Sequence, residues 1–212
     1  MLNHYAFGVL LILQHCVKHY PKLYDKPTYT QKSKAMQTEA LKTPATSTTL
    51  FGKQFAQVAW VVPDIEAAAK FFQEIMGVPR FLKMQNLRAK DLEGTYLGRP
   101  GDYEFHLYLA YSGDSMLELI QPVSGSSMYQ DFLAKQPKGG VQHMAYMVAE
   151  TEFEAAVSQL TNQGFPVIQS LHLPVAKVAY FDTYAQIGVV TEIIGLTQAG
   201  NQFVEQLKKG EY

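Results

Sequence analysis

The chain has 212 residues, with 18 Lys and Arg against 19 Asp and Glu and a formal net charge of −1. Because the basic residues are scattered, the sequence lacks the pattern of a nucleic-acid-binding protein or a polybasic membrane patch. A hydrophobic content of 47% is enough for a sizeable core, which favours a globular protein with a small-molecule site. The single cysteine, Cys16, cannot form an internal disulfide and is typical of a reducing compartment, which predicts a cytoplasmic protein.

Residues 1–50 are interpreted as an N-terminal extension. Their apolar run at residues 5–13 is too short to span a bilayer, and neither a preceding basic residue nor a following cleavage site supports a signal peptide. A Lys-, Thr- and Ser-rich tract follows. We predict a short docking helix or a poorly ordered leader, with targeting as the alternative, and Met36 is a second candidate for the start of translation.

Residues 51–123 are predicted to form a first module with the element order β-α-β-β-β. Its helix should begin after Asp64, a typical N-cap residue. A polar segment with turn-forming Gly and Pro, residues 86–103, is predicted to be a long loop beside a site. Alternating apolar residues predict strands at residues 55–62, 80–84, 104–111 and 115–121.

Residues 124–138 are interpreted as a connector with a helix at residues 128–135, and residues 139–196 as a second module with the same order of elements. The remaining residues, 197–212, should form a closing amphipathic helix at residues 200–209, which covers a module edge or a neighbouring subunit. In the second module, strands are predicted at residues 142–148, 166–170, 176–182 and 188–194.

The two modules are internal repeats. Residues 57–64 align with residues 143–150, so that Gln57 corresponds to His143 and an acidic residue ends each strand. Each copy then enters an Ala-rich helical segment that stops at a glycine. Repetition of this kind predicts two units, each of which leaves a hydrophobic face that only the other can cover.

One carboxylate lies among apolar residues in the last strand of each module: Glu118 in the first and Glu192 in the second. Because side chains alternate along a strand, the neighbours of Glu118 can face the helices while Glu118 faces the opposite, concave side. An isolated carboxylate there requires protonation, a cation or a metal. Taken singly, His143 is also explained as a structural histidine and Glu118 as a solvent-facing residue, but the matched set with Gln57 favours a metal site.

These residues resemble those of the vicinal oxygen chelate superfamily, which includes glyoxalase I, methylmalonyl-CoA epimerase, extradiol dioxygenases and antibiotic-binding resistance proteins. The resemblance covers residues 53–196. It implies an α+β fold in which two tandem β-α-β-β-β modules form a curved mixed sheet around a metal-binding cavity. It also implies metal ligands on the first and last strands of the modules, which are Gln57, Glu118, His143 and Glu192.

Within this superfamily, the sequence segments 117–123, 139–146 and 177–181 look most like those of the epimerase. Epimerases usually have His in place of Gln57 and of Gln142. Glyoxalase I fits less well, since the arginines that it uses near its ligands correspond here to Val61 and Gly139.

The implied ligands suit a divalent Zn, Ni, Co, Mn or Mg ion with open positions for substrate. A metal bound to a carbonyl oxygen lowers the barrier to removing the adjacent C–H proton, and Glu118 and Glu192 are the predicted catalytic bases. We therefore expect an epimerase, isomerase or lyase acting on an acyl-CoA or 2-oxo compound. The alternatives are a metal-free protein that sequesters a drug or metabolite and, third, an extradiol dioxygenase, which requires two histidines.

Relatives of this fold build the site within one chain or across a homodimer, and both arrangements stay open at this point. Pocket lining or packing is the expectation for four further strand residues, which are His106, Tyr108, Tyr146 and Tyr180. No role is assigned to the histidines outside the repeated ligand positions, which are His4, His15, His19 and His172.

Overall fold

The computed structural model describes residues 55–212. The predictions for residues 1–50, including Cys16 and the alternative start at Met36, therefore lie outside the described residues. Between residues 55 and 212, no helix is both long enough and apolar enough to cross a membrane.

Ten strands and five α-helices make up this part of the chain. The strands are β1 (Phe55–Val61), β2 (Leu82–Arg88), β3 (Thr95–Tyr96), β4 (Arg99–Pro100), β5 (Glu104–Ser112), β6 (Ser115–Ser124), β7 (Gly140–Ala149), β8 (Val167–Leu173), β9 (Ala176–Phe181) and β10 (Val190–Leu196). The helices are α1 (Ile65–Glu74), α2 (Met128–Lys135), α3 (Glu150–Asn162), α4 (Tyr184–Ile187) and α5 (Gln198–Lys209), and a 3-10 turn covers Ala89–Leu92.

All ten strands belong to one curled mixed sheet with the order β2-β5-β6-β1-β7-β10-β9-β8-β3-β4. The first strands of the two repeats, β1 and β7, pair antiparallel at its centre. On their outer sides β1 pairs parallel with β6, and β7 pairs parallel with β10. The predicted α+β fold with a curved mixed sheet is confirmed.

The two faces of the sheet bury different sets of side chains because residues alternate along each strand. On the outer face, α1 covers Tyr108 and Leu119, and α3 covers Phe181 and Ile193. On the concave face, α2 packs on β6 and β1, and α5 packs on β5 and β10. Val204 and Leu207 of α5 belong to the same buried cluster as the concave side chains. The closing helix therefore covers the protein's own sheet.

Several helix boundaries follow from capping side chains. The Asp64 carboxylate accepts a hydrogen bond from the Ala67 N–H at 2.9 Å, which confirms the predicted N-cap of α1. The helix predicted at residues 128–135 has the same bounds as α2. The Thr197 hydroxyl accepts from the Gly200 N–H at 3.0 Å, so α5 begins two residues earlier than predicted.

The segment between α1 and β5 differs from the prediction. Its strand spans Leu82–Arg88 instead of residues 80–84, because the polar residues up to Arg88 continue the pairing with β5. An edge strand tolerates such polar residues. The supposed long loop at 86–103 contains a 3-10 turn and the hairpin β3–β4, and β3 pairs with β8 of the other repeat.

Gly200 provides a test of how α5 is docked. Alanine normally favours a helix interior by about 1 kcal/mol over glycine, but a Cβ at Gly200 would lie 2.2 Å from the Val175 carbonyl oxygen. We expect Gly200→Ala to lower the free energy of unfolding by about 1–3 kcal/mol through overpacking. Urea denaturation would measure this, with exposed Gln202→Ala on the same helix as the control. An increase in stability for Gly200→Ala would contradict the close approach.

Candidate metal centre

Four polar side chains meet at the middle of the concave face. They come from the four central strands: Gln57 from β1, Glu118 from β6, His143 from β7 and Glu192 from β10. Their exposed fractions are only 1%, 5%, 0% and 2% respectively. One chain thus supplies all four residues that the sequence singled out.

The polar atoms of these side chains converge on a small volume. His143 Nε2 lies 2.9 Å from Glu118 Oε2 and 3.3 Å from Glu192 Oε2. The Gln57 amide Nε2 donates to the same two carboxylate atoms at 2.9 and 3.3 Å. Glu118, His143 and Glu192 each offer one ligand atom, and these three atoms lie within 4.8 Å of one another. A single ion could contact all of them.

The charge of this cluster fits a divalent cation. Two ionised carboxylates and one imidazolium would leave a net negative charge in a buried site, and buried charge is costly unless it is compensated. Gln57 can present its amide oxygen after a rotation that exchanges Oε1 and Nε2. One imidazole with carboxylate and amide oxygens is a donor set suited to a hard or borderline divalent ion.

A β-bulge brings Gln142 to His143. In the β1–β7 pair, Ala59 lies opposite His143 and Trp60 opposite Val141, so Gln142 has no partner in the register. An extra residue of this kind re-aims a side chain, and Gln142 is buried beside its neighbour. Its Oε1 lies 2.7 Å from His143 Nδ1. A proton on Nδ1 is therefore donated to Gln142, which leaves Nε2 directed at the carboxylates.

The protonation of the cluster follows from burial and mutual charge. Burial alone would disfavour the imidazolium, but the negative charges and hydrogen bonds of Glu192 and Glu118 outweigh it and raise the pKa of His143 to about 9. Burial raises the pKa of Glu118, against the opposing effect of His143. Without a metal, His143 therefore retains its second ring proton at neutral pH.

Two tyrosines close the centre beneath α2. The Tyr180 ring packs edge-on against His143 with centroids 5.2 Å apart, and its hydroxyl lies 3.1 Å from that of Tyr129. Burial raises the pKa of both phenols well above the ordinary value. Gln169 helps to place α2, because its Oε1 accepts the Met128 N–H at 3.1 Å. Both tyrosines are thus neutral and the centre is sheltered from water.

A cavity of about 540 Å³ lies beside the centre on the α2 side. Its wall includes Gln142, so the residue that holds His143 also contacts the cavity space. A volume of this size is typical of small-molecule sites, which span roughly 300–1,000 Å³. The cavity and the cluster together form the candidate site.

Pocket lining and packing were both expected for four strand residues, and the structure places them on different faces of the sheet. Tyr180 lies on the concave face beside His143, whereas Tyr108 and Tyr146 pack on the helix-covered face. His106 shares the face of Tyr108 and accepts a hydrogen bond from the Asn86 N–H. These three residues therefore do not line the centre, because the alternation that turns Glu118 to the concave face turns them to the other face.

Sequence reasoning missed two contributors to the site. Gln142 was noted only as a departure from the epimerase pattern, and a strict alternation would have turned it away from His143. Its bulge depends on the pairing of β1 with β7. Tyr129 reaches the centre only because α2 folds across the concave face. The Gly139-Gly140 pair before Gln142 was the available signal for irregular backbone.

Comparisons with known proteins show which family this chain is similar to. The family model described as the Glyoxalase/Bleomycin resistance protein/Dioxygenase superfamily matches residues 56–180, which is more than half of the chain. A protein named ethylmalonyl-CoA/methylmalonyl-CoA epimerase, from Cereibacter sphaeroides, is 27% identical over 126 residues, covering 56% of this chain and 81% of the relative.

Solved structures share the fold. Methylmalonyl-CoA epimerase from Mycobacterium tuberculosis aligns with a TM-score of 0.52 at 17% identity, covering 75% of this chain and 97% of the other. A variant of the Streptomyces coelicolor methylmalonyl-CoA epimerase in complex with 2-nitronate-propionyl-CoA gives 0.50 at 19% identity, covering 69% and 94%. Because the family model covers residues 56–180, more than half of the chain, the chain belongs to the Glyoxalase/Bleomycin resistance protein/Dioxygenase superfamily.

Proposed function

We propose that this protein is a metal-dependent enzyme that moves a proton at the carbon next to a carbonyl group, as an epimerase, isomerase or lyase. Gln57, Glu118, His143 and Glu192 would hold a divalent Zn, Ni, Co, Mn or Mg ion. The observation that carries the proposal is the buried convergence of two carboxylates and one imidazole, with ligand atoms within 4.8 Å of one another.

Each residue has a distinct part in this chemistry. A bound divalent ion polarises a carbonyl oxygen and makes the adjacent C–H more acidic. Glu118, whose pKa is raised by burial, is the first candidate for the base that accepts and returns the proton. Glu192, whose Oε2 lies 3.3 Å from His143 Nε2, is the second candidate base. Return of the proton to the opposite face gives epimerisation, and return to the neighbouring carbon gives isomerisation.

The relatives support this class of reaction. The names of the curated relative and of the solved structures describe epimerases of acyl-CoA compounds. Epimerisation needs a base on each side of the reacting carbon or one mobile base, and two carboxylates lie within 3.3 Å of His143 Nε2. An acyl-CoA or 2-oxo compound would offer the required carbonyl group.

A metal-free protein that binds and sequesters a small molecule is the second candidate. The cavity beside the centre favours it, since its wall includes the exposed apolar side chain of Leu97. The four buried polar side chains favour the enzyme, because a purely apolar ligand would gain nothing from buried carboxylates that are costly to desolvate.

The ligand assignment predicts the behaviour of two variants. His143→Ala and Glu192→Gln should each abolish metal binding and metal-dependent proton–deuterium exchange while the chain remains folded. Elemental analysis and circular dichroism would measure the outcome. His172→Ala is the matched control, since His172 is about half exposed and its ring pairs with Glu93, outside the metal centre. Full metal occupancy in both site variants would exclude these ligands.

Gln142 should increase the affinity of the site for its metal without being a ligand. Gln142→Ala removes the acceptor of the His143 Nδ1 proton, and loss of such a partner typically weakens metal binding about 10–100-fold. Competition with a metal-binding dye would give the affinity. Gln136→Ala, which changes a glutamine in the same cavity wall, is the control and should have no effect. Equal metal affinities for the two variants would show that Gln142 does not support metal binding.

The raised pKa of His143 predicts how pH affects the metal-free protein. The folded state holds the proton up to about pH 9, whereas the unfolded histidine loses it near its ordinary value of 6.5. The folded state therefore binds more protons in this window, and the free energy of unfolding should fall as pH rises from 6.5 to 9. The raised pKa of Glu118 acts in the same direction.

Urea denaturation across this pH range in the presence of chelator would measure the effect. His143→Gln is the control, because it keeps a polar side chain but cannot titrate. An equal pH dependence in the two proteins would show that the proton is held elsewhere.

A further inference from the structure

The wall of the cavity beside the metal centre is mainly apolar. Two tyrosines, Tyr96 and Tyr184, contribute to it as well. Leu97 and Tyr184 keep 64% and 53% of their surface exposed, so a ligand at the mouth would remove apolar surface from water. The aliphatic, thioether and phenyl side chains in the wall are Leu97, Met128, Phe132, Ile168 and Val190.

Leu97 occupies a backbone position that disfavours its side chain. It lies between β3 and β4 in a two-residue turn with Gly98, and the φ angles of these residues are 49° and 73°. Such turns prefer Asn-Gly, because a side chain with φ above zero is strained. The Leu97 N–H donates to the Ile168 carbonyl at 2.8 Å, which ties the turn to the cavity wall. A strained apolar residue held at a cavity mouth indicates a ligand contact.

The charges of the wall do not favour a polyanion. Asp131 and Asp182 oppose the single lining cation among the described residues, Lys135. The adjoining groove adds Arg99 against Asp102 and shares Asp131. A coenzyme A carrier has several phosphate groups, which proteins usually hold with clustered Arg or Lys. Acidic residues therefore outnumber basic ones in the walls of both the cavity and the adjoining groove.

The N-terminus of α2 is also engaged. A helix N-terminus can bind phosphate through its free N–H groups. Here the Met128 N–H donates to Gln169 and the Gln130 N–H donates to the Ser127 hydroxyl. These two donors of the nearest helix are therefore already used by protein atoms.

We propose that the cavity binds an uncharged, predominantly apolar carbonyl compound of one or two rings, with Leu97 as a specificity-determining residue, and not a coenzyme A thioester. The carbonyl group of this ligand rests on the proposed function, whereas its apolar character and lack of charge rest on the cavity wall. Gln142 belongs to the cavity wall and contacts His143 Nδ1, so this side chain connects the ligand space to the metal centre.

The test compares three probes on the full-length, metal-loaded protein: cyclohexane-1,2-dione, 2-tetralone and methylmalonyl-CoA. Calorimetry measures binding, and proton NMR in deuterium oxide measures exchange above the uncatalysed rate. Leu97→Asn keeps a residue that tolerates positive φ but removes the apolar contact. Met76→Asn is the matched control, because Met76 is 61% exposed and lies outside the cavity wall.

We expect saturable binding of at least one ring ketone, about tenfold weaker in Leu97→Asn through lost apolar burial and unchanged in Met76→Asn. Methylmalonyl-CoA should show no saturable binding. Saturable binding of methylmalonyl-CoA, failure of both ring ketones to bind, or an unchanged affinity in Leu97→Asn would each overturn the inference.

The two proposals fail in different ways. Metal-dependent exchange on methylmalonyl-CoA alone would retain the enzyme and overturn the ligand class. Leu97-sensitive binding of a ring ketone without any metal binding would support the ligand class and exclude the metal-dependent enzyme.

Discussion

The antiparallel pairing of β1 with β7 is the interaction on which the rest of the structure depends. It joins the two repeats at their first strands and sets β6 and β10 on either side. The four central strands can then each direct one polar side chain at the same point. Their register also creates the bulge at Gln142. A shift of one residue in this pair would turn Gln57 or His143 to the opposite face.

Burial of the resulting charges constrains what surrounds them. Two carboxylates within reach of one imidazole are tolerable in a core only with protons or a cation to balance them. The concave face supplies the shelter through α2, whose Tyr129 meets Tyr180 above His143. The same helix forms part of the adjoining cavity. The shielding of the centre and the shape of its ligand space therefore depend on one short helix.

The fold and the principal site residues could be predicted from the sequence because they depend on local periodicity and repetition. Alternation along β6 and β10 is enough to separate Glu118 and Glu192 from their apolar neighbours. The aligned repeats make Gln57 and His143 correspond. The same rule, applied to β5, turns His106 and Tyr108 away from the centre. The polar edge strand β2 was harder to delimit, because its pairing with β5 outweighs its own weak pattern.

The sequence by itself determined the two-module architecture, the family resemblance and the four candidate ligands, since each is encoded in short patterns that occur twice. The tertiary structure decided that one chain assembles all four residues and that Gln142 contacts His143. It also decided that the α2 side contains a cavity whose mainly apolar wall carries two aspartates and one lysine. These features arise from contacts between segments far apart in the chain. Their distances and charges exist only once strands and helices have packed, so no local pattern records them.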